Sequence, residues 1–132
     1  MSELEQNRSG SITWVDLTVE NAEEISKFYQ EVVGWQPAPV DMGGYDDFNM
    51  LPANRETPAA GICFVRGSNE GLPAQWLIYI LNADVDAAAE RCRNLGGKVI
   101  NGPRPMGEGR FCVIEDPAGA VAALYSPAPN DR

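Results

Sequence analysis

Residues 12–35 read ITWVDLTVENAEEISKFYQEVVGW, and this stretch predicts a strand followed by a helix. Residues 12–19 alternate, so that Leu17 lies on an apolar face while Trp14 and Asp16 lie on the opposite one. A period of two with one apolar face is typical of a strand that packs on a helix. The face with Trp14 and Asp16 is then left for a ligand, or for another part of the chain to cover.

The helix is predicted at about residues 21–33. Asn21 and Glu24 have the spacing of a capping box, in which each side chain accepts a hydrogen bond from the other residue's backbone N–H. Gly34 ends the helix because glycine readily adopts the left-handed conformation of a C-cap. Four apolar residues at helical spacing predict the stripe that packs inward: Ile25, Phe28, Tyr29 and Val32.

The same order of elements returns in the second half of the chain. Residues 76–81 (WLIYIL) predict a strand, with Tyr79 on the face that points inward. A second helix is expected at about residues 84–96, with Asp84 as its N-cap and a pair of glycines as its stop. Its apolar stripe is predicted to be Val85, Ala88, Cys92 and Leu95. Strand, cap and stop keep the spacing of the first copy, so the chain contains an internal repeat.

The rest of the sequence supplies strands and turns to each copy. Glycine and proline predict loops at 36–44 and 101–109 and a linker at 67–74. Strands are predicted at residues 45–51, 60–66, 98–100, 110–115 and 120–125. Neither copy can cover both faces of its own sheet. The sequence therefore predicts an α+β fold, with two helices outside and a curved mixed sheet around a cup-shaped cleft inside.

Composition narrows the class of protein. A chain of 132 residues is long enough for a single domain and too short for two ordinary ones. The net charge of −9 argues against binding to nucleic acid or to an anionic membrane surface. Three cysteines without a short paired spacing, and an N-terminus without an apolar signal segment, predict a cytoplasmic protein.

These motifs resemble the vicinal oxygen chelate superfamily, which includes glyoxalase, bleomycin-resistance and dioxygenase relatives. The motif W-V-D-L-x-V-x-N…F-Y…V-x-G-W resembles its first module, and D-V-D-A-A…L-G-G-K-V with E-D-P-A-G-A-V-A-A-L resembles its second. The resemblance implies one glyoxalase-like domain over 1–132, with βαβββ modules at about 11–66 and 75–127. It also implies a small organic ligand in the cup and, in most members, a homodimer.

The resemblance argues against a metal cofactor here. Metal-dependent relatives have histidine or carboxylate donors at positions that carry over to Trp14, Gly61, Leu77 and Ala123. None of these residues is a suitable donor, and the chain contains no histidine. We therefore expect no metal and no other cofactor.

Seven residues are candidates for ligand binding: Trp14, Asp16, Cys63, Tyr79, Tyr125, Arg104 and Met106. Trp14 either walls a pocket or plugs it. Asp16 is either a general base whose pKa is raised by apolar surroundings, or a structural residue with Arg110 as a possible partner. Cys63 is either a nucleophile or, more simply, a small buried residue. Arg104 and Met106 lie in the predicted 101–109 loop, where ligand contacts are common.

Four functions remain open at this point. The favoured hypothesis is a metal-independent glyoxalase/bleomycin-resistance-like protein that binds a small organic molecule in its cup. A second is a cofactor-independent isomerase or lyase, with Asp16 as base and Tyr79 as acid. The third is a metal-dependent glyoxalase or dioxygenase-type enzyme, and the fourth is a structural role with a plugged cup.

Overall fold

A computed structural model describes residues 9–127, which contain eight strands, two α-helices and one short 3₁₀ helix. The first module comprises β1 (Ile12–Val19), α1 (Ala22–Val33), β2 (Gln36–Asp41), β3 (Asp46–Leu51), β4 (Ala60–Phe64) and the 3₁₀ turn Gly67–Asn69. The second module comprises β5 (Trp76–Leu81), α2 (Val85–Asn94), β6 (Lys98–Met106), β7 (Gly109–Glu115) and β8 (Val121–Ser126). The α+β class and the two βαβββ modules predicted from the sequence are therefore confirmed.

The chain divides into two compact units, and each is described by itself. One unit spans Trp14–Trp76, and the other comprises, among the described residues, 77–127 together with 9–13. Residues 1–8, on which the predicted absence of a signal segment mainly rests, lie outside the described residues. Within residues 9–127, no helix is long and apolar enough to cross a membrane.

In the first module the strand order is β2-β3-β4-β1. β1 and β4 are parallel, with Leu17 opposite Ile62, and the other pairs are antiparallel. One face of this sheet packs on α1 through a buried cluster of Leu17, Ala22, Met50 and Ile62. The predicted orientation of β1 is confirmed, because Leu17 belongs to this cluster. Trp14 and Asp16 lie on the opposite face of the strand, which points away from α1.

Gly34 ends α1 in the left-handed conformation, at φ 87°, as predicted. The predicted capping box is wrong, because the Asn21 side chain makes no capping hydrogen bond within the described residues. An N-cap residue usually has an extended backbone, and that conformation directs its side chain toward the first turn of the helix. Asn21 has φ −115° and ψ 53°, which lie outside the extended region.

The predicted apolar stripe of α1 is only partly right. Phe28 is 54% exposed and Val32 is 64% exposed, whereas Ala22 and Ser26 are buried. The helix is rotated so that its small residues lie against the sheet. The Ser26 hydroxyl donates to the Glu23 carbonyl at 2.7 Å, and this bond lets a polar side chain occupy a buried position.

In the second module the order is β5-β8-β7-β6, with β5 parallel to β8. The helix-facing core consists of Val85, Ala89, Cys112 and Leu124. Asp84 caps α2 as predicted, since its carboxylate accepts from the Ala87 N–H at 3.1 Å. Leu95 does not belong to the packed stripe and is 76% exposed, because the helix ends at Asn94 and Leu95 is already its C-cap.

Two segments predicted as loops are strands. Residues 36–41 form β2 and residues 98–106 form β6, the outer strands of their sheets. Each contains two prolines at alternate positions, Pro37 with Pro39 and Pro103 with Pro105. Alternate residues of a strand direct their backbone N–H toward the same side, so an outer strand can place both prolines away from its neighbour. Sequence reasoning treated these prolines as breakers and missed that option.

Candidate functional site

The helix-free face of the first module carries Trp14 and Asp16 side by side. The Trp14 indole Nε1–H donates to Asp16 Oδ1 at 2.6 Å. Both side chains are half-buried. This short bond to a charged acceptor fixes the ring and the carboxylate relative to each other. The two strongest sequence candidates are thus a bonded pair on the predicted face.

Gly61 lies directly opposite Asp16 on the parallel strand β4. A Cβ atom at residue 61 would collide with Asp16 Oδ1 and would approach Trp14 Cζ2 to 3.3 Å. The missing side chain therefore makes the space that the carboxylate occupies. From the sequence, Gly61 was notable only because it lacks the donor that metal-dependent relatives carry at this position. In the structure, its lack of a side chain leaves room for Asp16.

Cys63 lies on the same face, and sequence reasoning missed its acidic neighbour Asp47. Burial raises the pKa of the Cys63 thiol well above its usual range, and the negative charges of Asp16 and Asp47 raise it further. Asp47 is itself buried and accepts a hydrogen bond from the Phe64 N–H at 2.9 Å. A thiol kept protonated in this way is a poor nucleophile, so the geometry favours the structural interpretation of Cys63.

The helix-free face of the second module is built around buried aromatic rings. Tyr79 and Phe111 pack with ring centroids 5.7 Å apart, and both are buried. Tyr125 lies opposite Phe111 in the β7–β8 register and is half-buried. Tyr79 and Tyr125 are therefore on one face of one sheet, as predicted.

Arg104 is the charged residue of this second face. It lies opposite Phe111 in the β6–β7 register, and its Cζ is 4.5 Å from the centre of the Phe111 ring. Its Nε donates to Asn101 Oδ1 at 2.7 Å. The Nη2 atom is buried and finds no hydrogen-bond acceptor in the part of the chain that the structure describes. Asn101 and Phe111 were not among the sequence candidates, because the loop predicted at 101–109 has no register with the strand at 110–115 that would place them beside Arg104.

Met106 and Arg110 have less central positions. Met106 is the last residue of β6, half-buried, opposite Gly109. Arg110 is not the partner that the sequence hypothesis suggested for Asp16. It binds Asp86 in the first turn of α2, with Nη2 to Oδ1 at 2.8 Å. That hydrogen bond lowers the pKa of the Asp86 carboxyl. The guanidinium of Arg110 is thus engaged on the helix side of its own module.

The positions at which relatives carry metal donors do not fit a metal here. Leu77 and Ala123 are buried apolar residues, and Gly61 has no space for a side chain. The Trp14 nitrogen is an N–H donor and is bound to Asp16. Among the described residues, no group of three or more histidine, cysteine, aspartate or glutamate side chains is placed to hold a metal ion.

Comparison with protein families identifies one that covers nearly the whole chain. The family model for the Glyoxalase/Bleomycin resistance protein/Dioxygenase superfamily matches residues 11–124. The chain is 34% identical to "Putative glyoxylase CFP32" of Mycobacterium bovis over 130 residues, 95% of this chain and 49% of that protein. It is 30% identical to "Anthracycline biosynthesis protein DnrV" of Streptomyces peucetius over 128 residues, 88% of this chain and 46% of that protein. The chain thus spans about half the length of these curated relatives.

Solved structures agree on the fold. A methylmalonyl-CoA epimerase in complex with methylmalonyl-CoA and NH4+ superposes with a TM-score of 0.54 at 16% identity, over 92% of this chain and 96% of that one. The methylmalonyl-CoA epimerase of Mycobacterium tuberculosis gives a TM-score of 0.53 at 19% identity, over 92% of this chain and 89% of that one. At these identities the similarity establishes the fold.

Proposed function

The chain belongs to the Glyoxalase/Bleomycin resistance protein/Dioxygenase superfamily, and on that premise we propose that it is a metal-independent member that binds a small organic molecule. The ligand contacts a helix-free sheet face. The observation that carries the proposal is the bonded pair of Trp14 and Asp16, which occupies a face left uncovered by α1. An aromatic wall with a few fixed polar groups is the usual lining of a small-molecule site.

Metal independence is supported by the side chains themselves. Trp14, Gly61, Leu77 and Ala123 take the places of the donors that metal-dependent relatives use, and the chain has no histidine. Elemental analysis of the purified protein is expected to find no stoichiometric zinc, nickel, manganese or iron. One tightly bound metal ion per chain would overturn this part of the proposal and restore the metal-dependent alternative.

A second candidate function is a cofactor-independent isomerase or lyase. It is favoured by one observation, namely that a carboxylate, Asp16, projects from a helix-free face with its position fixed by a hydrogen bond. Asp16 would act as the base in that reaction. Under the binding hypothesis, the same carboxylate only orients the ligand.

A thermal-shift screen separates the two functions. Aromatic, cationic and anionic metabolites and antibiotics are tested against wild type, Trp14→Ala and Asp16→Asn. A ligand at one hundred times its Kd adds about 2.7 kcal/mol of stability, which raises Tm by several degrees. Trp76→Phe is the matched control, because Trp76 packs on the helix-facing cluster of the first module.

The outcomes of the screen are distinct. Binding that is lost in Trp14→Ala but retained in Asp16→Asn and Trp76→Phe supports a binding protein. Turnover that disappears in Asp16→Asn while binding remains supports an enzyme. If no compound binds wild type and Trp14→Ala only lowers Tm, the indole is a plug and both functions fail.

We also propose that the protein is a cytoplasmic homodimer that binds neither nucleic acid nor membranes. Three free cysteines suit a reducing compartment, and the net charge of −9 disfavours polyanions. Exposed Phe28, Val32 and Val33 on α1 supply apolar surface for association. Analytical ultracentrifugation should give twice the chain mass of 14.3 kDa at micromolar concentration. A monomer at that concentration would contradict the dimer.

A further inference from the structure

We propose that Arg104 recognises the carboxylate of a small organic acid on the helix-free face of the second module. This inference names the ligand class of the function proposed above and rests on it. It starts from the one buried side-chain nitrogen or oxygen atom that lacks a hydrogen-bond partner among the described residues, Arg104 Nη2.

The guanidinium group is held on two sides. The Phe111 ring lies under it, with Cζ 4.5 Å from the ring centroid, and the Asn101 amide oxygen accepts from Nε at 2.7 Å. Burying a donor without an acceptor costs stability, and it costs more when the donor is charged. An oxyanion that binds Nη2 would remove this cost. The guanidinium therefore offers a donor for which the described residues supply no acceptor.

The backbone beside Arg104 is shaped to aim it. The β6–β7 register shifts between Asn101 and Arg104, as in a β-bulge. Gly102 lies inside the shift at φ 81°, and a Cβ there would come within 2.6 Å of the Phe111 carbonyl oxygen. Only glycine fits this position. Bulges commonly redirect a side chain next to a functional site, and here the redirected side chain is the guanidinium over Phe111.

The surroundings define the ligand further. Guanidinium groups bind carboxylates through short, charge-assisted hydrogen bonds in a planar arrangement. The Tyr79 ring is packed against Phe111 with centroids 5.7 Å apart, so the guanidinium lies beside a buried aromatic cluster. This combination favours a carboxylate attached to an aromatic or other planar apolar body. Nη2 is buried, so neighbouring side chains must shift when the ligand enters.

The test uses benzoate as the anionic probe and benzamide as its neutral isostere. Phenyl phosphate is added because phosphate offers the same acceptor chemistry. Titrations followed by ¹H–¹⁵N NMR include the side-chain Nε–Hε signals of the arginines. Benzoate is expected to bind wild type, to shift the Arg104 Nε signal, and to bind at least about ten-fold more tightly than benzamide.

Arg104→Gln should weaken benzoate binding about ten-fold or more. Arg110→Gln is the matched control, since Arg110 is on the neighbouring strand and already binds Asp86, and it should leave the affinity unchanged. Arg104→Met keeps an apolar stem over Phe111 and removes the buried Nη2 donor. Its Tm without ligand should be no lower than that of wild type.

Several results would overturn the role of Arg104. These are benzoate failing to bind wild type, benzamide binding equally well, equal benzoate affinity in Arg104→Gln, or a large fall in Tm in Arg104→Met. Tighter binding of phenyl phosphate than of benzoate would reassign the site to phosphate esters. If neutral compounds bind wild type and Arg104→Gln equally, the proposed role of Arg104 in binding anions is wrong, but the proposed binding function is retained. That function fails separately, when no compound of any charge binds wild type.

Discussion

Asp16 and Gly61 lie directly opposite each other on the parallel strands β1 and β4, and the Asp16 carboxylate fills the space that a side chain at residue 61 would need. Gly61→Ala should therefore displace the carboxylate and disturb its bond to Trp14. We expect a loss of about 1–3 kcal/mol in the free energy of unfolding, the usual cost of overpacking a buried site. Urea unfolding measures it.

The control for this prediction is a double-mutant cycle. Asp16→Ala removes the carboxylate, so adding Gly61→Ala to it should cost much less than Gly61→Ala costs alone. If the two losses simply add, the carboxylate does not occupy that space and the explanation for Gly61 is wrong.

Trp14→Phe should lower stability by about 1 kcal/mol beyond the cost of its smaller ring. The substitution keeps an aromatic ring but removes the N–H that binds the Asp16 carboxylate at 2.6 Å. Hydrogen bonds to charged groups contribute about 1.5–3 kcal/mol when buried, and partial exposure reduces this value. Trp76→Phe is the comparison, because its indole donates to the neutral Tyr29 hydroxyl at 3.1 Å and should contribute less. A larger loss in Trp76→Phe than in Trp14→Phe would contradict the ranking.

Stability should fall as the pH rises above about 9, because the half-buried thiol of Cys63 and the buried thiol of Cys112 resist ionisation. Burial raises the pKa of Cys112 to about 11, and it raises the pKa of Cys63 further still. Above pH 9 the unfolded chain loses thiol protons that the native protein keeps, so the unfolded state is favoured. Each thiol lowers the free energy of unfolding by up to about 1.4 kcal/mol per pH unit in this range.

The measurement is urea unfolding between pH 7 and pH 10. Cys63→Ala and Cys112→Ala should each flatten the decline, whatever their effect on stability at pH 7. An equally steep decline in the double variant would mean that other groups cause it.

Alkylation of the native protein should discriminate among the three cysteines. At pH 8.5, iodoacetamide should modify Cys63 and Cys112 far more slowly than Cys92, because the raised pKa values of Cys63 and Cys112 keep their thiols protonated. Asp47→Asn keeps an oxygen acceptor for the Phe64 N–H and removes a negative charge beside Cys63, so it should speed labelling of Cys63. Peptide mapping by mass spectrometry reads the rates. Fastest labelling at Cys63 in wild type would restore it as a nucleophile.

The sequence predicted what depends on local periodicity and on backbone chemistry. The alternation around Leu17 identified the helix-free face correctly, and Gly34 and Asp84 end and begin their helices as expected. These features follow from side-chain alternation and from the conformational preference of single residues. They need no knowledge of distant parts of the chain.

The sequence did not predict features that depend on register between strands. Arg104 faces Phe111 only because β6 continues through two prolines and a bulge at a glycine. The local composition of this segment argues against a strand. Asp47 approaches Cys63 through the pairing of β3 with β4, which no spacing in the sequence reveals. The exposure of Phe28 was missed for a related reason, since small residues let α1 rotate on its sheet.

The prolines of the two outer strands also limit how copies of this protein can associate. An unprotected outer strand is a template to which another chain can add its own strand, and this is a common start of aggregation. Pro37 and Pro39 remove two donors from the open side of β2, and Pro103 and Pro105 do the same for β6. Neither edge can therefore offer a continuous ladder of amide donors. Addition of a strand from another copy is therefore disfavoured at both edges.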